Sequence, residues 1–198
     1  AVYSTACNII LTGLGDADGF NGYVEGMAGS FRNINILLGG IALDRLAGMN
    51  ADSSWNISAV GAGTYVSGNT LSFSGVDILV GGTGIDLLSY SAYPVAVQVN
   101  LSTESATGFM SVYGMNNITG SSADDSLTGD NLANVITGNG GSDLLAGLGG
   151  NDRYVFAAGW GANDVVLETV GEGTDMLDFS GLSADLVMSI LVSGLRVT

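Results

Sequence analysis

The chain has 198 residues, among them 32 glycines and one proline, and its formal net charge at pH 7 is −15. Four arginines are its only basic residues and stand against 19 acidic ones, so the chain lacks the basic surface that binding to DNA, RNA or an anionic membrane requires. Hydrophobic residues nevertheless make up 46% of the sequence and recur periodically. This combination predicts a folded chain whose natural partners are cations.

The residue types present also limit the chemistry that the chain can perform. It has no histidine and one cysteine, Cys7, so it can form no internal disulfide. Without histidine, the His-dependent serine and cysteine mechanisms and the HExxH zinc site are excluded, and we expect no enzymatic activity. The sequence contains no run of 18 apolar residues and no signal-peptide pattern, so we expect no membrane insertion.

The first 155 residues predict short strands separated by glycine-containing turns, with no helix. Two segments, Phe31 to Leu46 and Phe73 to Leu88, align without gaps at an offset of about 40 residues, and a third related segment begins near Tyr113. We therefore predict three repeats of about 40 residues. Because their apolar positions recur in phase with their turns, the repeats are typical of a solenoid.

Within the first two repeats, acid-type residues lie nine positions apart, and an apolar residue follows two positions after each. The acid-type residues are Asn35 and Asp44 in the first repeat and Asp77 and Asp86 in the second. An aspartate after glycine is often only a turn residue, but its carboxylate is also a metal ligand. For Asp44, Asp77 and Asp86 both interpretations stay open.

From Gly120 to Val155 the nine-residue pattern occurs four times in tandem, as GSSADDSLT, GDNLANVIT, GNGGSDLLA and GLGGNDRYV. Glycine opens each unit. The sixth positions carry oxygen ligands and the eighth positions carry residues that we predict to be core. The sixth positions are Asp125, Asn134, Asp143 and Asp152, and the eighth positions are Leu127, Ile136, Leu145 and Tyr154.

These units fit the pattern G-G-x-G-x-D-x-U-x, which Gly81 to Ser89 matches at every defined position. The chain therefore resembles the RTX, or haemolysin-type, calcium-binding repeat family. Its 40-residue unit, with SWNIS at Ser54 to Ser58, also resembles repeats of large bacterial adhesins of the filamentous-haemagglutinin type. The RTX resemblance implies an all-β fold, a parallel β-roll or β-solenoid of short strands and Gly/Asp-rich turns, in which two nonamers complete one coil.

The chemistry of the residues favours calcium independently. Glycines permit tight turns that expose carbonyl oxygens, and each aspartate adds a charged hard ligand to the six to eight oxygens that calcium accepts. With two nonamers per coil, turns on one edge recur every 18 residues. Asp125 should then stack on Asp143, and Asn134 on Asp152. We predict these four residues as Ca²⁺ ligands, with Asp44, Asp77 and Asp86 as further candidates. The 18-residue neighbours of Asp44 and Asp86, which are Ala62 and Gly68 or Glu104, do not reproduce the motif.

The predicted organisation is one continuous solenoid over residues 1–155, followed by a continuation or cap over 156–198, with a final strand or short helix at Ala184 to Leu191. The predicted function is that of a secreted, cell-surface structural segment of a bacterial adhesin or filament. It would fold on calcium binding after export, and either associate end to end or continue in a longer chain. The alternative is a calcium-binding carrier or carbohydrate-binding module attached to a secreted enzyme. The neighbouring sequence would discriminate between the two.

Overall fold

The computed structural model describes residues 5–161 and 163–183, and this part of the chain is all-β. The predicted fold class is thereby confirmed at this level. The described residues include no helix long and apolar enough to cross a membrane. The element predicted at Ala184 to Leu191 lies outside the described residues.

Most of the twenty described strands are short, because the nine-residue period leaves only about three residues between one turn and the next. The strands of the first half are β1 (Asn8–Leu14), β2 (Phe20–Val24), β3 (Phe31–Ile34), β4 (Ile36–Leu38), β5 (Arg45–Ala47), β6 (Ser53–Ala59), β7 (Ala62–Ser67), β8 (Asn69–Ser74), β9 (Ile78–Val80) and β10 (Asp86–Ser89). The strands of the second half are β11 (Gln98–Asn100), β12 (Ser105–Ala106), β13 (Ser111–Tyr113), β14 (Asn117–Thr119), β15 (Ser126–Thr128), β16 (Val135–Thr137), β17 (Leu144–Ala146), β18 (Arg153–Ala157), β19 (Val165–Leu167) and β20 (Met176–Gly181).

The strands form three open sheets. A nine-stranded sheet, which we name the long sheet, has the order β20-β18-β16-β14-β10-β6-β7-β8-β4. The N-terminal sheet has the order β13-β9-β5-β1-β2-β3, and the C-terminal sheet the order β12-β11-β15-β17-β19. From β14 to β20 successive strands belong alternately to the long sheet and to the C-terminal sheet. Successive turns therefore lie on opposite edges of this pair of sheets.

In the tandem nonamers the strands pair in parallel at the predicted spacing. Ser126 pairs with Leu144, and Val135 pairs with Arg153. The contacts between the turns that precede these strands join residues 18 apart. The spacing upstream is wider, 33 residues between Asp44 and Asp77 and 30 between Asp86 and Asn116. The predicted 18-residue neighbours of Asp44 and Asp86 are therefore wrong.

Antiparallel hairpins account for the wider spacing and make the sheets mixed. Strands β1–β2–β3, β6–β7–β8 and β11–β12 pair antiparallel, and the nine-residue pattern does not predict any of these pairs. The hairpin β6–β7–β8 brings Trp55 and Tyr65 together, with ring centroids 4.5 Å apart. The residue beside these rings is a glycine, Gly48, because a Cβ at this position would stand only 2.9 Å from both rings. The hairpins thus add an aromatic core to the first half of the chain.

The predicted apolar positions form the core of the repeats. Leu46, Leu79, Leu88, Leu127, Ile136, Leu145 and Tyr154 are all fully buried. Each three-residue strand of the tandem nonamers buries only its central side chain. Leu37 is only partly buried, and Trp160 lies at the surface beside Phe156 rather than in the core.

Adjacent leucines in β17 allow a matched test of this core. Leu145 is fully buried, whereas Leu144 is 42% exposed. We expect Leu145→Ala to lower the free energy of unfolding by about 2–5 kcal/mol, because it leaves a cavity in the stack. Leu144→Ala should cost less than about 1 kcal/mol. Urea denaturation of both variants measures the difference, and equal costs would contradict this core.

Candidate metal centre

The sixth-position side chains link each turn to the next. The Asp125 N–H donates to Asp143 Oδ1 at 2.8 Å, and the Asn134 N–H donates to Asp152 Oδ1 at 2.7 Å. All four side chains are buried. The structure therefore brings together both pairs that the 18-residue spacing predicts, one pair on each edge.

Both ladders continue past the tandem nonamers. The Asp143 N–H donates to Asp164 Oδ1, and the Asp152 N–H donates to Asp175 Oδ1, each at 3.0 Å. Asp164 and Asp175 are not among the seven predicted ligands. The two ladders of sixth-position side chains therefore extend from the tandem nonamers to the turns that precede β19 and β20.

The earlier candidates form two further pairs. The Asp44 N–H donates to Asp77 Oδ2, and the Asp86 N–H donates to Asn116 Oδ1, both at 2.8 Å. Asn134 Nδ2 donates to the Asn116 carbonyl at 2.7 Å, so the Asp86–Asn116 pair continues into the ladder of Asn134 and Asp152. Asp44 and Asp77 instead precede β5 and β9 of the N-terminal sheet, to which no strand of the tandem nonamers belongs. Of the seven predicted ligands, Asp44 and Asp77 thus lie away from the other five.

Glycine opens each turn because the sixth-position carboxylate folds back over it. A Cβ at Gly147 would stand 2.0 Å from Asp152 Oδ2, and a Cβ at Gly138 would stand 2.1 Å from Asp143 Oδ2. Any side chain at the first position would therefore displace the carboxylate. This contact explains why glycine and aspartate occur together in the repeat.

In four turns this side chain also accepts a hydrogen bond from its own turn, and we call these closed turns. The donor in each is the N–H of the second residue of the turn. The pairs are Gly40 to Asp44 Oδ2, Gly82 to Asp86 Oδ2 at 2.8 Å, Ser121 to Asp125 Oδ2 at 2.6 Å and Asp130 to Asn134 Oδ1 at 2.8 Å. A closed turn satisfies the oxygen that faces its first glycine without any ion.

The turns that end at Asp143 and Asp152 differ, and we call them open turns. Their second residues, Asn139 and Leu148, are left-handed, with φ of 71° and 70°. Neither N–H bonds the carboxylate, and Asp143 Oδ2 and Asp152 Oδ2 are buried without a hydrogen-bond partner. In the described part of the chain, Trp55 Nε1 is the other buried side-chain atom without one. Because an unsatisfied buried polar atom is costly, each open turn is suited to a ligand.

One open turn faces two more carboxylates. Ligand oxygens of Asp152, Glu168 and Asp175 all lie within 4.8 Å of one another. Two oxygens that each lie about 2.4 Å from a shared ion are at most about 4.8 Å apart, so this acidic cluster could hold a metal ion. Burial raises the pKa of Asp152, and the negative charges of Asp175, Asp130 and Glu172 raise it further.

The other open turn also places its carboxylate close to other negative charges. Burial raises the pKa of Asp143 to about 6, and the charges of Asp164, Asp125 and Asp124 act in the same direction. Either a proton or a cation at Oδ2 relieves this repulsion. Both edges of the tandem stack therefore carry a buried carboxylate oxygen that lacks a partner.

Sequence reasoning missed Glu168. It follows β19 directly, at the place where glycine opens the preceding turns, and its turn is longer than six residues. The nonapeptide pattern therefore does not select it. The signal that would have found it is an acidic residue directly after a strand and seven residues before an aspartate, here Asp175.

No family model and no curated protein matches the sequence. The resemblance to RTX repeats and the assignment of calcium ligands therefore stay predictions.

Two neighbouring glycines in the second open turn should respond differently to alanine. Gly150 has φ of 114°, and its Cβ would stand 2.5 Å from the Leu132 carbonyl carbon. We expect Gly150→Ala to destabilise the protein by more than about 1–2 kcal/mol, from the left-handed backbone plus the clash. At Gly149 the nearest atom would be the Asn131 side-chain oxygen at 3.2 Å, and Gly149→Ala should be tolerated. Thermal unfolding compares the variants, and the reverse order would contradict the turn geometry.

The buried carboxylates predict an unusual pH dependence for the metal-free protein. The folded chain keeps the Asp143 proton up to about pH 6, whereas an ordinary aspartate releases it near 3.8. Between these pH values the folded state binds more protons, so the free energy of unfolding falls as pH rises. Burial also raises the pKa of Asp86, Asp125 and Asp152, which adds to this trend.

Urea denaturation in chelator from pH 4 to 7 measures this effect. We expect the highest stability at the acidic end, and a flatter profile for Asp143→Asn. Hydrogen bonds from Ser180 and Arg153 lower the pKa of Asp178 to about 2. This residue therefore makes the free energy of unfolding rise with pH, but only below about pH 4. Stability that rises from pH 4 to 6 would contradict the prediction.

Proposed function

We propose that this chain is a calcium-stabilised structural segment of a secreted adhesin or filament on a bacterial surface. One observation carries the proposal: consecutive open turns each hold a buried carboxylate oxygen without a partner, at Asp143 and Asp152. Stacked carboxylates beside glycine-rich turns provide hard anionic oxygens together with backbone carbonyls, which is the ligand set that calcium prefers. The resemblance of these turns to RTX repeats supports the same ion.

The closed turns define which predicted ligands we retain. Asp44 accepts hydrogen bonds at both oxygens, from the Cys7 and Gly40 N–H groups. Asp86 does so too, from the Ser53 hydroxyl and the Gly82 N–H. We propose Asp143 and Asp152 as the principal calcium ligands, and Asp44 and Asp86 as structural turn residues.

A solenoid architecture is the second part of the proposal. The parallel pairs at 18-residue spacing support a coil of two nonamers, with β14, β16 and β18 on one side and β15 and β17 on the other. Each coil would stack one apolar side chain per strand and one carboxylate per turn. The antiparallel hairpins are then insertions that widen the coils of the first half.

Calcium would act as a folding switch. Without it, the folded state must bury negative charges close together, which opposes the gain from a core of single side chains. Ligand that binds the folded state alone shifts the equilibrium towards folding. A chain exported from low calcium into millimolar calcium would therefore fold after export.

End-to-end association, or continuation in a longer chain, is the third part. No described strand pairs with the outer edge of β4 or of β20, which are the two edges of the long sheet. Ile36 and Leu38 on β4 are 68% and 77% exposed, and Met176 on β20 is 57% exposed. In the long sheet only β6–β7 and β7–β8 pair antiparallel, so β4 and β20 run in the same direction. The β20 edge of one copy could therefore pair in parallel with the β4 edge of a second copy.

A calcium titration tests the proposed function. We expect calcium to raise the free energy of unfolding of the chelated protein by about 2.7 kcal/mol per site when its concentration is 100 times the Kd. Asp143→Asn and Asp152→Asn should each lose the increment of one site. Far-ultraviolet circular dichroism during urea denaturation, with calcium and with chelator, measures these increments.

Asp125→Asn is the matched control, since the equivalent closed turn carries asparagine naturally at Asn134. This variant should change stability by a similar amount with and without calcium. A wild-type protein whose stability is the same in calcium and in chelator would refute calcium stabilisation. If calcium stabilised Asp143→Asn and Asp152→Asn as much as the wild type but failed to stabilise Asp125→Asn, the assignment of ligands to the open turns would be refuted.

A further inference from the structure

Glu168 lies outside the nonapeptide pattern, yet its carboxylate belongs to the acidic cluster of Asp152 and Asp175. Asp152 is only 1% exposed, and its Oδ2 has no hydrogen-bond partner. The side chain of Asp152 comes from an open turn of the tandem nonamers, whereas Glu168 and Asp175 come from the longer turn between β19 and β20. The cluster therefore joins two parts of the chain that the repeat pattern treats separately.

Tyr154 holds Glu168 at the cluster. Its hydroxyl donates to Glu168 Oε1 and accepts the Gly147 N–H, so it connects Glu168 to the first glycine of the open turn. The other three tandem nonamers carry leucine or isoleucine at this eighth position. Tyr154 is fully buried, so its ring replaces those side chains in the core while its hydroxyl reaches the cluster.

The charge around the cluster is unbalanced. The negative charges of Asp130 and Glu172 act on Asp152 as well as that of Asp175. Arg153, the nearest cation in sequence, instead forms an ion pair with Asp178. Several carboxylates that share a partly buried volume without a cation repel one another, and a divalent ion offsets that repulsion.

We propose that Asp152, Glu168 and Asp175 form a three-carboxylate site for a divalent cation, with Glu168 as a ligand and Tyr154 as its positioning residue. The ion would attach the segment carrying β19 and β20 to the last tandem nonamer. That this ion is calcium rests on the proposed function. Three carboxylate ligands on one ion favour binding, because ligand charge tunes calcium affinity.

Terbium luminescence tests the site, because Tb³⁺ is a hard cation of similar size to Ca²⁺ and the buried Tyr154 ring can sensitise it. The titration uses the full chain with Asp143→Asn, which leaves this site in place, and excites tyrosine. We expect saturable emission that calcium displaces. Glu168→Gln should weaken Tb³⁺ and Ca²⁺ binding by about tenfold or more.

Two further variants separate ligation from general effects. Glu172→Gln removes a neighbouring acid of the same type, whose carboxylate accepts the Thr169 N–H at 2.8 Å, and should weaken binding only by a few-fold. Tyr154→Phe keeps the ring in the core but releases Glu168, so it should lower the affinity by less than Glu168→Gln does. Because this variant also lacks the sensitising tyrosine, its calcium affinity, and that of Glu168→Gln for comparison, is measured from the calcium dependence of urea denaturation. Circular dichroism in saturating calcium checks that each variant is folded.

Equal weakening by Glu168→Gln and Glu172→Gln would overturn the role of Glu168 as a ligand, and so would an unchanged affinity in Glu168→Gln. An unchanged affinity in Tyr154→Phe would overturn the positioning role. These outcomes differ from failure of the proposed function, in which the wild-type chain itself gains no stability from calcium. Tb³⁺ binding that calcium does not displace would leave a cation site that is not a calcium site, and would overturn the shared identity of the ion.

Discussion

The structure depends on a carboxylate that folds back over the first glycine of its turn. This contact explains the two most constant features of the repeat, since a Cβ at Gly147 or Gly138 would displace the carboxylate of Asp152 or Asp143. The same carboxylate accepts an N–H from the turn 18 residues earlier, so it fixes the turn and the stacking together. It also buries negative charge, which raises the pKa of Asp143 and Asp152.

The conformation of one residue decides how this charge is satisfied. Where the second residue of the turn directs its N–H to the carboxylate, as Ser121 does for Asp125, the turn is closed and needs no ion. Where that residue is left-handed, as Asn139 and Leu148 are, one oxygen is left without a partner. The glycine at the fourth position has φ near 115° in both open turns, which is accessible mainly to glycine. The additional glycines of the G-x-G-G-x-D form thus distinguish a turn that can take a ligand from one that is complete.

The sequence predicts the second half of the chain better than the first. In the tandem nonamers a fixed period determines the stacking neighbour, so the pairs at Asp125 and Asn134 follow from counting residues. Upstream, hairpins such as β6–β7–β8 change the spacing, and no count from Asp44 leads to Asp77 as the next turn of its ladder. Glu168 is unpredictable for a related reason. Its turn is longer than six residues, so its position in the cluster depends on the path of the loop and on the hydrogen bond from Tyr154.

The two halves also differ in how they offset the entropy of folding. In the first half, the fully buried Tyr65 of β7 packs against the rings of Trp55 and Phe20, which are also fully buried, so apolar burial is dense. In the tandem nonamers each nine-residue unit buries one large apolar side chain, while its glycine-rich turn loses more conformational entropy than most sequences do. Hydrogen bonds between turns offset part of this cost, but they also bring carboxylates together. A cation at the open turns would remove that repulsion and add ligand bonds at the point where the apolar core is thinnest. The proposed dependence on calcium would thus follow from building a stack from units too short to have a core of their own.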